Sequence, residues 1–151
     1  MSNNSNLILE VKNLQKHFPI EKSFFGKDIS FLKAVDNVSF KLEKGKTIGI
    51  VGESGSGKSQ MMYSIIGLLA ENGIVESGKI MFDGKDISPS QFAKKKEYDE
   101  FMREIRGNSM AMIFQDPMTF LNPGLKVETQ LIEPMLNHTD MTKEQARERA
   151  L

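Results

Sequence analysis

Residues Gly52 to Ser59 read Gly-Glu-Ser-Gly-Ser-Gly-Lys-Ser, directly after the apolar run Ile48-Gly49-Ile50-Val51. A helical pattern follows, in which Met61, Met62, Ile65, Ile66 and Leu69 fall on one face. A glycine-rich bend between a buried strand and a helix is the context that makes such a run a phosphate-binding loop. Gly52, Gly55 and Gly57 free the chain to take positive φ angles and bring its amides close to a ligand. With Glu53, Ser54 and Ser56 between them and Gln60 beyond, successive N–H groups form a concave nest at the positive end of the next helix. Lys58 then reaches the β/γ-phosphates of a nucleoside triphosphate, and the Ser59 hydroxyl ligates Mg²⁺. The methionines after Lys58 read as a packed helix face, not a metal site.

The 151 residues amount to one domain, and an apolar content of 39% is enough for a core. Acidic and basic side chains balance at 20 each, so net charge favours neither nucleic acid nor an anionic membrane. The absence of cysteine excludes disulfides, thiol catalysis and cysteine-ligated clusters within this stretch. Met1 to Asn6 is polar and uncharged, unlike a secretory signal, and the longest apolar run, Ile65 to Ala70, is too short to span a bilayer. A soluble protein, or one held peripherally by a partner, is the expectation.

Along the chain, Leu7, Leu9 and Val11 alternate with Ile8, Glu10 and Lys12, which predicts a half-buried strand running toward Phe18. Pro19 to Lys33 reads as a connection or wide hairpin. Val38, Phe40 and Leu42 alternate again before a Glu43-Lys44-Gly45-Lys46 turn. Lys79 to Phe82 predicts a strand entering a tight Asp83-Gly84 turn. Ser88-Pro89-Ser90-Gln91 has the N-cap, first-turn proline and capping glutamine of a helix start. Tyr98, Phe101, Met102 and Ile105 form a buried stripe ended by Gly107, with Lys94 to Lys96 as a solvated face. Met110 to Phe114 reads as a buried strand, and Pro134 as a point that kinks or divides a helix. His17 and His138 have no ligand partners at metal spacing and read as solvated. Thr142 and Gln145 form a second capping box, opening a helix too short to stand alone; a longer parent protein is expected.

Three tracts carry a family resemblance: Ala34-Val35-Asp36-Asn37-Val38-Ser39-Phe40, the segment Val51 to Ser59, and Met112-Ile113-Phe114-Gln115-Asp116-Pro117-Met118-Thr119-Phe120-Leu121-Asn122-Pro123. Together they resemble the ATP-binding subunits of ABC transporters, in the oligopeptide/dipeptide importer branch, from about Leu7 to the end. Phe120 departs from the serine usual there, at a loop position that accepts it. The resemblance implies an α/β fold: a P-loop NTPase (RecA-like) core with an antiparallel β subdomain, truncated at the start of the helical subdomain. It places the β subdomain and core at about 7–115 and the helical start at about 116–151. It makes Phe18 the aromatic that stacks on adenine, with Phe24 and Phe25 as weaker rivals and a core phenylalanine as the plain alternative. It makes Gln115 the Q-loop glutamine, offering its amide oxygen to Mg²⁺ or the attacking water and acting with Lys58 in catalysis.

The implied cofactors are ATP and Mg²⁺. The implied partners are transmembrane permease subunits, a second ATP-binding subunit and, indirectly, a periplasmic or extracellular solute-binding protein, with no nucleic acid. The implied place is the cytoplasmic face of the cell membrane. A Leu-Ser-Gly-Gly-Gln signature, a Walker B Asp-Glu and a switch histidine do not occur in these residues. Ile80-Met81-Phe82-Asp83 imitates Walker B but continues into Gly84, and Ile113-Phe114-Gln115-Asp116 is broken by its glutamine. The expectation is therefore a chain that binds nucleotide and does not hydrolyse it alone, with an unpaired strand edge where the Walker B strand normally lies. The alternatives are a non-catalytic ATP-binding remnant, an importer ATPase for nickel or another small solute, and a small nucleotide kinase, which would need an Arg-rich lid not seen here.

Overall fold

The computed structural model describes residues 6–20, 30–68, 74–114 and 121–150. It divides into two compact units, residues 1–99 and 100–151. The first is built on four antiparallel strands: β1 (Leu7–Ile20), β2 (Ser30–Glu43), β3 (Ile74–Phe82) and β4 (Lys85–Asp86), in the spatial order β2-β1-β3-β4. The region expected to be loop from Pro19 to Lys33 is instead largely strand at its ends. β1 runs to Ile20, β2 begins at Ser30, and Phe18 faces Leu32 across the ladder.

Leu9, Val11, Leu14, Val35 and Ile80 form the core of this sheet. Helix α1 (Lys58–Ile66) lies against β1 and β2 and contributes Met61, Ile65 and Ile66, while Met62 stays exposed. Leu69 lies outside the described residues. Gly67 ends α1 in the left-handed region at φ 74°, with its N–H on the Tyr63 carbonyl.

Strict alternation from Leu9 and Val11 would point Asn13 and Gln15 inward. The structure breaks that parity. Asn13 takes a left-handed φ of 49°, the register slips between Val11 and Leu14, and Leu14 and Lys16 become the buried pair. The bulge is held by the Asn13 amide on Ser39 Oγ at 2.7 Å and Asn13 Nδ2 on Asn37 Oδ1 at 2.8 Å. On the facing strand Gly78 (φ 110°) leaves room: a Cβ there would lie 2.6 Å from the Leu14 Cα. His17, expected in solvent, is buried beside the same irregularity, 6.3 Å from the Phe31 ring.

The Asp83-Gly84 turn forms as predicted, both residues at positive φ (44° and 79°), as a two-residue hairpin of right-twisting strands demands. The Ile80–Asp83 run therefore ends in this hairpin turn, between β3 and β4. Ser88 is the N-cap and Pro89 opens the first turn as predicted, but without a side-chain cap bond, and the helix is a single 3₁₀ turn, Pro89–Gln91; Phe92 is extended, and α2 (Lys95–Ile105) begins separately. The Ser88 hydroxyl is used elsewhere, accepting the Ile80 N–H at 2.9 Å and donating to Asp86 Oδ1 at 2.6 Å. Tyr98 and Met102 are buried on α2, and Lys94 to Lys96 are exposed, as expected.

Two predicted strands are absent. Residues 46–53 and 111–114 form no ladder among the described residues; Met110 makes a single parallel bridge, to Arg106. Val51 and Ile113 are each 96% exposed. Both tracts have the continuous apolar composition of strands covered on two faces. Without a ladder partner among the described residues, strand geometry has nothing to hold it.

In the second unit, α3 (Val127–His138) packs on α4 (Lys143–Ala150), burying Ile132 and Ala146, and Arg147 pairs with Glu128. Pro134 sits inside α3 without dividing it. The capping box closes as predicted, with the Thr142 N–H on Gln145 Oε1 at 2.9 Å and the Gln145 N–H on Thr142 Oγ1 at 3.3 Å. His138 is half-buried rather than solvated, its ring packed where a Cβ on Gly107 would sit. No helix among the described residues is long and apolar enough to cross a membrane.

Candidate nucleotide site

The glycine-rich bend lies between the end of the 46–53 tract and α1. Gly57 is the N-cap of α1 at φ 87°, so no side chain caps the first turn, and its amides remain directed at the bend. Gly55 also takes positive φ, 79°, as the nest requires. Gly57 is pressed against β2: a Cβ would fall 2.0 Å from the Ala34 carbonyl oxygen. A Cβ on Gly52 would meet Ser56 Oγ at 2.7 Å. The Ser56 N–H closes the bend on the Glu53 carbonyl at 3.2 Å.

Lys58 folds back into this hollow. Its ammonium donates to the carbonyl oxygens of Gly52 and Glu53, each at 2.7 Å, and to Ser56 Oγ at 3.2 Å. The charge is thus held against carbonyl oxygens of the bend, where a phosphate oxygen would compete with them for it. Ser59, next along the helix, is exposed beside it.

A cavity of about 490 Å³ opens here. Gly55, Ser56, Gly57, Lys58, Ser59 and Gln60 form its floor, and Phe18 with Leu32 to Ala34 forms the wall. Phe18 therefore joins the loop residues in one space although 37 positions separate it from Gly55 in the chain (55 − 18). Gly52, Glu53 and Ser54 shape the bend without lining this cavity, and Gln115, Phe24 and Phe25 lie outside the described residues.

Sequence reasoning did not find Lys16. It is fully buried in β1, with its ammonium 3.0 Å from Gln60 Oε1 and 5.1 Å from the centre of the Phe18 ring. Burial pulls its pKa below the ordinary lysine value. The Gln60 side chain is thus directed at β1. Asn13 was the available signal, since asparagine tolerates the left-handed conformation that reverses the strand's parity.

The family model described as ABC transporter matches residues 35–151. The chain belongs to the ABC transporter family. Among curated relatives, this ABC transporter chain is 43% identical over 145 residues to the dipeptide transport ATP-binding protein DppD of Lactococcus lactis subsp. cremoris, covering 95% of this chain and 38% of the relative. It is 42% identical over 145 residues to the oligopeptide transport ATP-binding protein OppD of Bacillus subtilis, covering 95% and 37%. The chain thus spans under two fifths of the length of these relatives. In structure it is similar to the ATP-binding cassette MJ0796 in its dimeric post-hydrolysis state bound to ADP and Pi, with TM-score 0.69, 24% identity, and coverage of 94% of this chain and 53% of that one. That likeness shows the fold: a P-loop cassette with an antiparallel sheet beside its glycine-rich loop.

Proposed function

We propose that this chain binds ATP with Mg²⁺ as the nucleotide-binding part of an ATPase subunit that energises peptide import. The observation that carries the reading is the single cavity onto which Phe18, Lys58 and Ser59 all open. A flat apolar ring on one side suits a purine base, and a cation held against the glycine-rich bend on the other suits a polyphosphate. Mg²⁺ is normally held by one or two protein groups plus phosphate oxygens, and the exposed Ser59 hydroxyl beside Lys58 fits that requirement. When bound, the ion neutralises charge on the β- and γ-oxygens. Gln115 supplies its amide oxygen as a second protein ligand in this reading, and residues from about 116 onward begin the helical part that meets permease subunits.

Peptide as the solute rests on the relatives' names. The peripheral position at the cytoplasmic face, the permease partners and the periplasmic or extracellular solute-binding protein rest on the family resemblance. Pairing with a second ATP-binding subunit is supported by the dimeric cassette of like fold. Because the signature, Walker B and switch-histidine motifs do not occur in these residues, the chain alone holds nucleotide without turning it over. Equilibrium binding of Mg-ATP measured beside phosphate release tests this. Saturable binding with release at the buffer rate is expected, and phosphate release with turnover would overturn it.

A further inference from the structure

Lys16 is a cation with no exposed surface, set on a strand whose neighbours Leu14 and Val11 are core. Burying a lysine is costly unless the charge is engaged, and a well-packed apolar residue of similar length generally serves a core better. Its ammonium is placed between two groups, each from a residue that also lines the cavity. One is the amide oxygen of Gln60, in the first turn of α1, at 3.0 Å. The other is the Phe18 ring, at 5.1 Å, within the range of a cation–π attraction. A strand bulge is required to bring it there, because unbroken alternation from Val11 would have left Lys16 facing outward.

We propose that Lys16 is a positioning residue for base recognition, fixing the Phe18 ring as a platform and tying that platform to the phosphate-binding helix through Gln60. It rests on the nucleotide reading above. Two physical effects follow. Phe18 lies near the end of the described part of β1, and the attraction to Lys16 restricts its ring to one orientation before a base arrives, so less entropy is lost on stacking. A cation near one face also draws electron density from the ring, which favours an electron-rich purine on the other. The triphosphate is unaffected by either, because it is held by the loop amides, Lys58 and Ser59. Lys16 should therefore govern the preference for ATP over a base-free polyphosphate, while the polyphosphate itself binds as before.

The test measures Mg-ATP and Mg-tripolyphosphate affinities for the 151-residue chain and for Lys16→Met, Lys16→Gln, Lys16→Arg and Phe18→Ala. Lys16→Met keeps the apolar stem, and Lys16→Gln keeps a donor for Gln60 without charge, so a folding failure in one leaves the other. Both should weaken ATP about five-fold, with tripolyphosphate unchanged within about two-fold. Lys16→Arg, which keeps a cation over the ring, should restore most of the ATP preference. In a Phe18→Ala background, Lys16→Met should cost nothing further. An ATP-to-tripolyphosphate affinity ratio unchanged in Lys16→Met and Lys16→Gln overturns the proposal, whether the two affinities stay level or fall together. If Lys58→Ala binds tripolyphosphate as well as the parent chain, the phosphate site itself falls, and that outcome is separate from the first.

Discussion

The Cβ of any residue but glycine at position 57 would lie 2.0 Å from the carbonyl oxygen of Ala34. The first turn of α1 is thereby seated directly on β2, and the phosphate-binding bend takes its position from the antiparallel sheet. Gly57→Ala meets both this overlap and a left-handed φ of 87°. We expect a loss of more than about 2 kcal/mol in chemical denaturation, with ATP affinity down at least about ten-fold. A variant as stable as the parent would show that the bend is not anchored on Ala34.

Ser88→Ala should destabilise without touching the site. The buried Ile80 N–H would lose its acceptor, at a cost of about 1–3 kcal/mol by urea denaturation. ATP affinity measured on the folded fraction should stay within about two-fold.

The capping box of α4 predicts a local effect. Thr142→Ala removes the acceptor of the Gln145 N–H, worth about 1 kcal/mol. Amide exchange in the first turn of α4 should accelerate about five-fold, while exchange in β1 and β3 is unchanged.

Acid should loosen the sheet before the α1 packing. The Lys41 and Lys12 ammoniums, each 3.0 Å from a Glu10 oxygen, hold that carboxyl below its ordinary 4.5. At Asp86 partial burial pushes the pKa up, but the Ser88 hydroxyl and N–H and the Lys79 ammonium outweigh it and leave the group below 3.8. A lowered folded pKa stabilises above the unfolded value and is lost as pH falls through the folded one. Denaturation midpoints should therefore be flat near neutrality and decline below about pH 4.5, and Glu10→Gln should reduce that decline.

What was legible in the sequence was local. The Asp83-Gly84 hairpin and the Thr142–Gln145 box are each fixed by a few neighbouring residues, and both formed as read. The glycine spacing likewise gave the bend and Lys58. Composition at Ile48–Val51 and Met110–Phe114 states only that these tracts suit a doubly covered strand. Whether a partner strand is beside them depends on residues far away, and among those described none forms a ladder with them. Ser88 takes the N-cap position that its sequence context predicts, but its hydroxyl serves Ile80 instead of the turn it opens, a contact made through the β3–β4 hairpin. Lys16 was missed because a single left-handed residue, Asn13, reversed which side of β1 faces inward.

Mg-ATP affinity of this chain beside that of Lys58→Ala is the most direct test of the central claim, that the glycine-rich bend and its ammonium hold a triphosphate. The account predicts saturable binding that weakens at least about ten-fold in the variant, with the fold intact. Equal affinities in the two proteins would contradict it.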